Sequence, residues 1–287
     1  MEQAEIKTVG IIGAGTMGQG IAQVCAMAGY TTLLFDVHEE FLTKGFSALQ
    51  KNLETAVEKG KISKVQKEEA INRIKLVKNL KEIKADLIIE AIVEKLEVKQ
   101  KVFLELEEIN QGKAILATNT SSIPITRIAS VLKNPGHCIG LHFFNPVHIM
   151  KLVEIISGVA TDPLLVSQLK DFLVQLGKTP VVAKDSPGFI VNRVARHFYV
   201  ESLKVLEENV ADVKAIDELM VSAGFKMGPF RLMDLIGVDT NFSVTLSMYD
   251  SFHQDSKFRP SRIQQQKVDA GHWGKKTGRG FYDYPKG

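Results

Sequence analysis

The chain contains little cysteine. Its two cysteines, Cys25 and Cys138, belong neither to a CxxC pair nor to a cluster with histidine. This spacing argues against a disulfide scaffold and a structural zinc site, and it is typical of a protein in a reducing cytoplasm. No apolar run approaches the roughly 20 residues that a membrane-spanning helix requires. The first predicted strand begins by about Ile6, so we also expect no signal sequence.

The chain also lacks a strong excess of charge of either sign. Its 36 basic and 33 acidic residues leave a net charge of +3, which gives no reason to expect a nucleic-acid partner. With 287 residues, of which 45% are apolar and 24% charged, the composition is that of an ordinary globular protein. We therefore expect one large domain or two smaller ones, no membrane partner and no metal ion.

A glycine-rich turn lies near the start of the sequence. Residues 9–18 read VGIIGAGTMG, a helical pattern follows to about Ala28, and TTLLFD predicts a second strand. A G-x-G-x-x-G pattern indicates dinucleotide binding when strand, helix and second strand surround it in this order. The alternative interpretation is a glycine-rich structural turn without a ligand.

Each glycine of this turn has its own physical reason. Gly13 permits the tight turn, Gly15 lets a pyrophosphate approach the backbone, and Gly18 lets the helix and strand pack closely. The helix then begins at about Thr16 and Met17, where N–H groups and the positive end of the helix dipole favour phosphates.

An acidic residue follows the second predicted strand. Asp36 ends this strand, where a carboxylate accepts hydrogen bonds from both ribose hydroxyls of NAD and repels the 2′-phosphate of NADP. The sequence therefore predicts NAD as the cofactor. The alternative is an aspartate that merely faces solvent.

Two further segments predict buried strands that are followed by loops, namely ADLIIEAIVE over 85–94 and GKAILATNTSS over 112–122. Strands that alternate with helices indicate an α/β fold with a Rossmann-type doubly wound parallel sheet. Such sheets bind ligands at the carboxyl ends of their strands. The candidates for the nicotinamide half of the cofactor are therefore the polar residues of these loops: Glu94, Lys99, Asn119 and Ser121.

A histidine and a glutamate stand in two short segments that otherwise look buried, IGLHFF and KLVEII. If these strands pair antiparallel about a turn centred near residue 148, His142 lies opposite Glu154 on one face. A carboxylate beside the imidazole orients the ring and stabilises its charged form. Such a pair can accept a hydroxyl proton while hydride leaves the same carbon. The alternative is a hydrogen-bonded core histidine without a chemical role.

Eight segments of the chain, taken together, carry a resemblance to a known family: GAGTMGQGIA, EAIVE, TNTSS, GLHFFNPV, KLVEII, KDSPGFIVNR, MGPFRLMDLIGVD and GKKTGRGFYDY. They resemble the short-chain L-3-hydroxyacyl-CoA dehydrogenase family and, within it, the bacterial 3-hydroxybutyryl-CoA dehydrogenase branch. The similarity extends over essentially all 287 residues. It implies His142 as general acid/base, Glu154 as its partner, and Ser121 and Asn192 as groups that hold the substrate. It also implies NAD contacts from a second set of residues: Asp36, Glu94, Lys99, Asn145 and Lys276.

The lysine-rich residues 39–83 have a helical period that Gly60 interrupts, which predicts a helical hairpin inserted between strands. Such a charged run is usually a solvated helix face. The resemblance implies instead that part of it, Lys51, Asn52 and Lys59, meets the coenzyme A of the substrate, and basic helices can also steer an anionic substrate.

The sheet pattern ends near KDSPGFIVNR, and helical spacing follows. We expect an NAD-binding Rossmann domain over 1–186 and an all-helical domain over 187–287 that carries Asn192 on its first helix. Its apolar faces exceed what one small domain buries, so we expect a homodimer through this domain, as the resemblance also implies. The alternative is a monomer with a tight core.

The resulting hypothesis is an NAD-dependent oxidoreductase that interconverts short-chain (S)-3-hydroxyacyl-CoA and 3-oxoacyl-CoA, with 3-hydroxybutyryl-CoA and acetoacetyl-CoA as the expected pair. Two alternatives remain open at this point. One is a dehydrogenase of a free hydroxy or sugar acid on the same fold. The other is a non-catalytic NAD-binding protein of the kind that serves as a crystallin.

Overall fold

The structure is a computed structural model that describes residues 5–284. The chain divides between Ser186 and Pro187 into two compact units, each with its own core. Within the described residues, none of the helices combines the length and apolar character needed to cross a membrane.

The first unit is built on one mixed sheet. Within the described residues the sheet has eight strands, in the spatial order β3-β2-β1-β4-β5-β6-β7-β8. The strands are β1 (Thr8–Ile12), β2 (Thr31–Phe35), β3 (Ile74–Val77), β4 (Leu87–Glu90), β5 (Ile115–Thr118), β6 (Cys138–Phe143), β7 (Leu152–Ser157) and β8 (Thr179–Lys184). Neighbouring strands are parallel except β6 and β7, which are antiparallel. The predicted doubly wound sheet is confirmed.

Helices cover both faces of this sheet. They are α1 (Thr16–Met27), α2 (Glu39–Glu58), α3 (Lys64–Arg73), α4 (Leu96–Ile109), α5 (Ile125–Ala129) and α6 (Pro163–Gln175). The central strands β4, β5 and β6 are buried along their whole length. Continuous apolar strands of this kind require cover on both faces, which explains their near absence of polar residues.

The helical hairpin is confirmed as α2 and α3, but the prediction that helix continues to residue 83 was wrong. Helix α3 ends at Arg73, and Ile74–Val77 form the edge strand β3, which pairs with β2. Only Ile74 and Val77 of this strand are buried, whereas Lys75 and Leu76 between them face outward. The short strand therefore lacks a clear alternating pattern of apolar and polar residues. The segment around it is also as rich in lysine as the preceding helix, so the sequence does not mark where the helix ends.

The second unit is helical, as predicted. Its helices are α7 (Val191–Glu207), α8 (Val213–Ser222), α9 (Pro229–Ile236), α10 (Val238–Ser251) and α11 (Arg262–Asp269). Phe230 and Met233 of α9 are fully buried against Leu203 of α7. The buried carboxylate of Asp217 accepts hydrogen bonds from the N–H groups of Phe230 and Arg231, which fixes the start of α9 against α8.

Candidate active site

The glycine turn after β1 has the backbone that the sequence predicts. Gly13 has φ +101°, a left-handed conformation that L side chains rarely adopt, and a Cβ there would lie 2.6 Å from the carbonyl oxygen of Ala91. A Cβ on Gly18 would lie 1.7 Å from the carbonyl oxygen of Gly13. The roles predicted for Gly13 in the turn and Gly18 in close packing are confirmed.

Gly15 differs from these two glycines because it borders open space. A Cβ on Gly15 would meet no atom of the described residues within 4 Å. Helix α1 begins at Thr16 directly after it, and within the described chain no side chain caps this helix start. Backbone N–H groups at an uncapped helix start, beside a gap of this kind, fit the pyrophosphate of a dinucleotide.

Asp36 is tied to the glycine turn. Its Oδ2 accepts a hydrogen bond of 2.8 Å from the N–H of Ala14, and its Oδ1 accepts one of 3.0 Å from the N–H of His38. These bonds hold the carboxylate at the carboxyl end of β2, beside the glycine turn. This is where a ribose is expected in a dinucleotide fold.

A cleft of about 970 Å³ extends from the glycine turn and Asp36 to the outer face of α4. Sequence reasoning missed its apolar wall, which consists of Val37, Phe41, Leu80, Val98 and Val102. Val98 and Val102 are one helical turn apart, so the exposed apolar stripe of α4 was a usable signal. A mostly apolar cleft with a few polar groups at fixed positions suits a flat adenine base.

The loops after β4 and β5 meet at Glu94. Its Oε1 accepts hydrogen bonds from Thr120 Oγ1 at 2.5 Å and from the N–H of Ser121 at 2.9 Å, and Lys99 Nζ lies 3.2 Å from Oε2. Burial raises the pKa of Glu94, but Lys99 and these hydrogen bonds outweigh burial and leave the pKa below its usual value. Three predicted site residues, Glu94, Lys99 and Ser121, thus lie together. Thr120 was not predicted.

Lys99 reaches this loop from inside the protein. It is only 1% exposed, and its ammonium lies 2.6 Å from Glu90 Oε1 as well as 3.2 Å from Glu94. The predicted role of Lys99 in cofactor binding stays a prediction, but its ammonium lies behind Glu94 rather than at the surface. Sequence reasoning did not identify Glu90, whose position at the end of an apolar strand was the available signal.

Asn119 links the loop after β5 to the neighbouring strand. Its Oδ1 accepts a 2.8 Å hydrogen bond from the N–H of Phe143, the residue that follows His142. Because Gly140 of β6 pairs with Thr118 of β5, His142 is level with the loop that contains Asn119. The predicted cofactor contact of Asn119 is untested, whereas its contact with β6 is an additional finding.

The register predicted for the two polar residues of β6 and β7 is confirmed. His142 pairs directly with Glu154 in the antiparallel ladder, and His142 Nδ1 lies 2.7 Å from Glu154 Oε2. The imidazole is 6% exposed and the glutamate is fully buried. A carboxylate at this distance orients the ring and favours the tautomer with its proton on Nδ1, so Nε2 is the ring nitrogen suited to accept a proton.

A buried lysine holds the turn between β6 and β7. Lys178 donates hydrogen bonds to the carbonyl oxygens of Val147 and Met150, the latter at 2.9 Å. Burial lowers the pKa of Lys178. This turn carries Asn145, an exposed residue with a predicted role in NAD binding. Sequence reasoning missed Lys178, and nothing in its surroundings GKTP distinguishes it from a surface lysine.

The remaining predicted residues are on or next to α2 and in the second unit. Lys51 and Asn52 are on α2, and Lys59 is an exposed residue at the end of the same helix. Asn192 is in the first turn of α7 in the second unit. Lys276, also in the second unit, donates a 2.7 Å hydrogen bond to Asp239. Their roles in substrate or cofactor binding stay predictions.

The chain is similar to known proteins over nearly all of its length. Residues 8–186 match the family described as 3-hydroxyacyl-CoA dehydrogenase, NAD binding domain, and residues 188–284 match 3-hydroxyacyl-CoA dehydrogenase, C-terminal domain. The chain is 44% identical to the 3-hydroxybutyryl-CoA dehydrogenase of Bradyrhizobium diazoefficiens over 283 residues, which is 98% of this chain and 96% of that protein.

Two further relatives agree with this match. The chain is 47% identical to the 3-hydroxyadipyl-CoA dehydrogenase of Escherichia coli (strain K12), and the match covers 97% of this chain but only 59% of that longer protein. The crystal structure of (S)-3-hydroxybutyryl-CoA dehydrogenase from Ralstonia eutropha superposes with a TM-score of 0.94 at 40% identity, over 98% of this chain and 100% of that chain. The chain therefore belongs to the 3-hydroxyacyl-CoA dehydrogenase family, whose N-terminal domain binds NAD.

Proposed function

We propose that this protein interconverts a short-chain (S)-3-hydroxyacyl-CoA and the corresponding 3-oxoacyl-CoA with NAD. The observation that carries the proposal is the 2.7 Å contact of His142 with Glu154, on strands β6 and β7 of the sheet that also carries the glycine turn. A buried carboxylate that holds an imidazole is an arrangement for moving a proton. Family membership supports this activity over the free hydroxy acid and the crystallin-like alternatives.

The chain contributes the proton chemistry. Bound NAD supplies the acceptor for the hydride that leaves C3 of the substrate. His142 Nε2 takes the proton of the 3-hydroxyl group, so the C3–O bond becomes a carbonyl, and Glu154 stabilises the resulting imidazolium. In the reductive direction, the same imidazolium returns a proton to the ketone oxygen.

Other residues would hold the substrate. We assign Ser121 and Asn192 to the 3-oxygen and thioester region, and Lys51, Asn52 and Lys59 to the coenzyme A part. Lys51 on α2 and Lys59 at the end of this helix are both exposed. This exposure supports their assignment to coenzyme A, because solvent-facing ammonium groups can bind phosphates at low desolvation cost.

The test is a comparison of substrates at fixed NADH. The protein should oxidise NADH with acetoacetyl-CoA or with 3-oxoadipyl-CoA, and the better of these two identifies the preferred acyl group. Free acetoacetate at the same concentration should give a much lower kcat/KM, and so should NADPH in place of NADH. Unchanged NADH absorbance with both CoA esters would contradict the proposal.

We also propose that the protein is a homodimer through the second unit. Several large apolar side chains of this unit are exposed: Val194, Leu219, Phe225, Leu235 and Ile236. A surface this apolar is typical of an interface between subunits. Light scattering should give twice the chain mass of 31.8 kDa, whereas the mass of one chain at micromolar concentration would contradict the dimer. A cytoplasmic location stays a prediction.

A further inference from the structure

Glu90 is a fully buried carboxylate with hydrogen-bond donors at both oxygens. It is the last residue of β4 and is 0% exposed. Its Oε1 lies 2.6 Å from Lys99 Nζ and accepts a 2.7 Å bond from the N–H of Ile92, and its Oε2 accepts a 2.7 Å bond from Thr118 Oγ1. A buried charge is costly unless it is paired in this way.

Lys99 extends the contact from Glu90 to the predicted active site. Its ammonium lies between Glu90 and Glu94, at 2.6 and 3.2 Å. Glu94 in turn accepts hydrogen bonds from the N–H groups of Ser121 and Ser122, at 2.9 and 3.2 Å. An unbroken series of charge-assisted contacts thus joins the end of β4 to the loop that carries Ser121.

Glu90 also shapes the wall of the cofactor cleft. The N–H of Ile92 that it binds belongs to the turn 91–93, which lines the cleft beside the glycine turn. A Cβ on Gly13 would lie 2.6 Å from Ala91 in this turn, so the two turns are in close contact. One carboxylate therefore reaches both the cofactor cleft and the Ser121 loop.

A second buried carboxylate in the same unit offers a matched comparison. Glu107, near the other end of α4, is 7% exposed and accepts hydrogen bonds from the N–H groups of Lys133 and Asn134, at 3.0 and 2.8 Å. Its contacts join α4 to the segment that follows α5, and they do not include the loops after β4 and β5. Loss of Glu107 should affect stability alone.

We infer that Glu90 is a positioning residue for the proposed dehydrogenase. It acts through Lys99, which holds Glu94, and Glu94 fixes the loop that presents Ser121 to the substrate. Lys99 accordingly serves the site through Glu94. The catalytic part of this inference rests on the proposed function, whereas the loop-positioning part does not.

The catalytic part is tested by a double-mutant cycle. The kcat of Glu90→Gln with acetoacetyl-CoA and NADH should fall about tenfold, while in a Glu94→Gln background the same change should alter kcat by less than about twofold. Independent losses that multiply in the double variant would overturn the inference. If Glu90→Gln does not fold, Thr118→Val removes one donor to Glu90 with little change of shape, and the same comparison applies.

The loop-positioning part is tested without activity, by hydrogen exchange of the peptide over residues 118–123. In Glu90→Gln, the amides of Ser121 and Ser122 should exchange at least about tenfold faster than in wild type, because their acceptor Glu94 is no longer held. Glu107→Gln should leave this peptide unchanged. Equal exchange in wild type and Glu90→Gln, or equal acceleration in both variants, would overturn the inference even in a protein that turns over no CoA ester.

Discussion

Asn119 accepts a hydrogen bond from the backbone N–H of Phe143, so the loop after β5 is fixed to the strand residue next to His142. The same loop is held on its other side by Glu94. The loop that carries Ser121 is thus hydrogen-bonded both to β6, next to His142, and to Glu94 in the loop after β4. This arrangement leads to predictions about stability, cofactor binding and catalysis.

Replacement of Asn119 by leucine should destabilise the protein and impair catalysis. The part-buried N–H of Phe143 loses its acceptor, which should lower the free energy of unfolding by about 1–3 kcal/mol. Asn119→Asp retains an acceptor oxygen and serves as the control for the loss of the hydrogen bond. Urea unfolding of both variants measures the effect, and equal stability of Asn119→Leu and wild type would contradict it.

The two glycines at the helix start should respond differently to alanine. Gly18→Ala places a Cβ 1.7 Å from a backbone oxygen and should lower the melting temperature strongly. Gly15→Ala fills only open space at an ordinary φ of −66°, so it should keep the melting temperature of wild type. It should nevertheless weaken NADH binding by about tenfold or more, because the methyl group occupies the place of the pyrophosphate. NADH fluorescence titration and thermal melts separate the two effects.

Glu94 should contribute a pH-dependent part of the stability. Its pKa in the folded protein is below 4.5, so the folded state binds the proton more weakly than the unfolded state does. This contribution is fully present above pH 4.5 and is lost as the pH falls through the lowered value. The difference in melting temperature between wild type and Glu94→Gln should therefore be largest at neutral pH and shrink below pH 4.5. A difference that grows on acidification would contradict the direction of the shift.

Lys59→Glu should raise the KM for acetoacetyl-CoA several-fold and leave the KM for NADH unchanged, because it places a negative charge where coenzyme A phosphates are proposed to bind. The effect should weaken as salt is added. Lys113→Glu is the matched control, since this exposed lysine precedes β5 and is not part of the hairpin of α2 and α3. Equal effects of both variants would mean that only the overall charge matters.

The sequence was most informative where a pattern follows directly from backbone geometry. The glycine turn and Asp36 could be placed because a strand, a tight turn and a helix leave few alternatives for Gly13 and Gly18. The pairing of His142 with Glu154 could be predicted because antiparallel strands about one turn have a fixed register.

Contacts between segments distant in sequence could not be predicted in this way. Lys178 and Glu90 acquire their partners only when helices and strands pack. Lys178 has no local pattern that separates it from a surface lysine, and the apolar strand before Glu90 indicates burial but not its partners. The edge strand β3 was missed for a related reason, since its four residues include an exposed lysine and follow a lysine-rich helix. Tertiary pairing with β2 decides its conformation.

The most direct test of the proton-transfer role is the turnover of His142→Gln. With acetoacetyl-CoA and saturating NADH, its kcat should fall by about two to four powers of ten, the usual contribution of general acid/base catalysis, while the Kd for NADH stays within about twofold of wild type. Glu154→Gln should lower kcat less, since the imidazole remains. A kcat of His142→Gln close to that of wild type would show that the proton moves through another group, and the account of this site would be wrong.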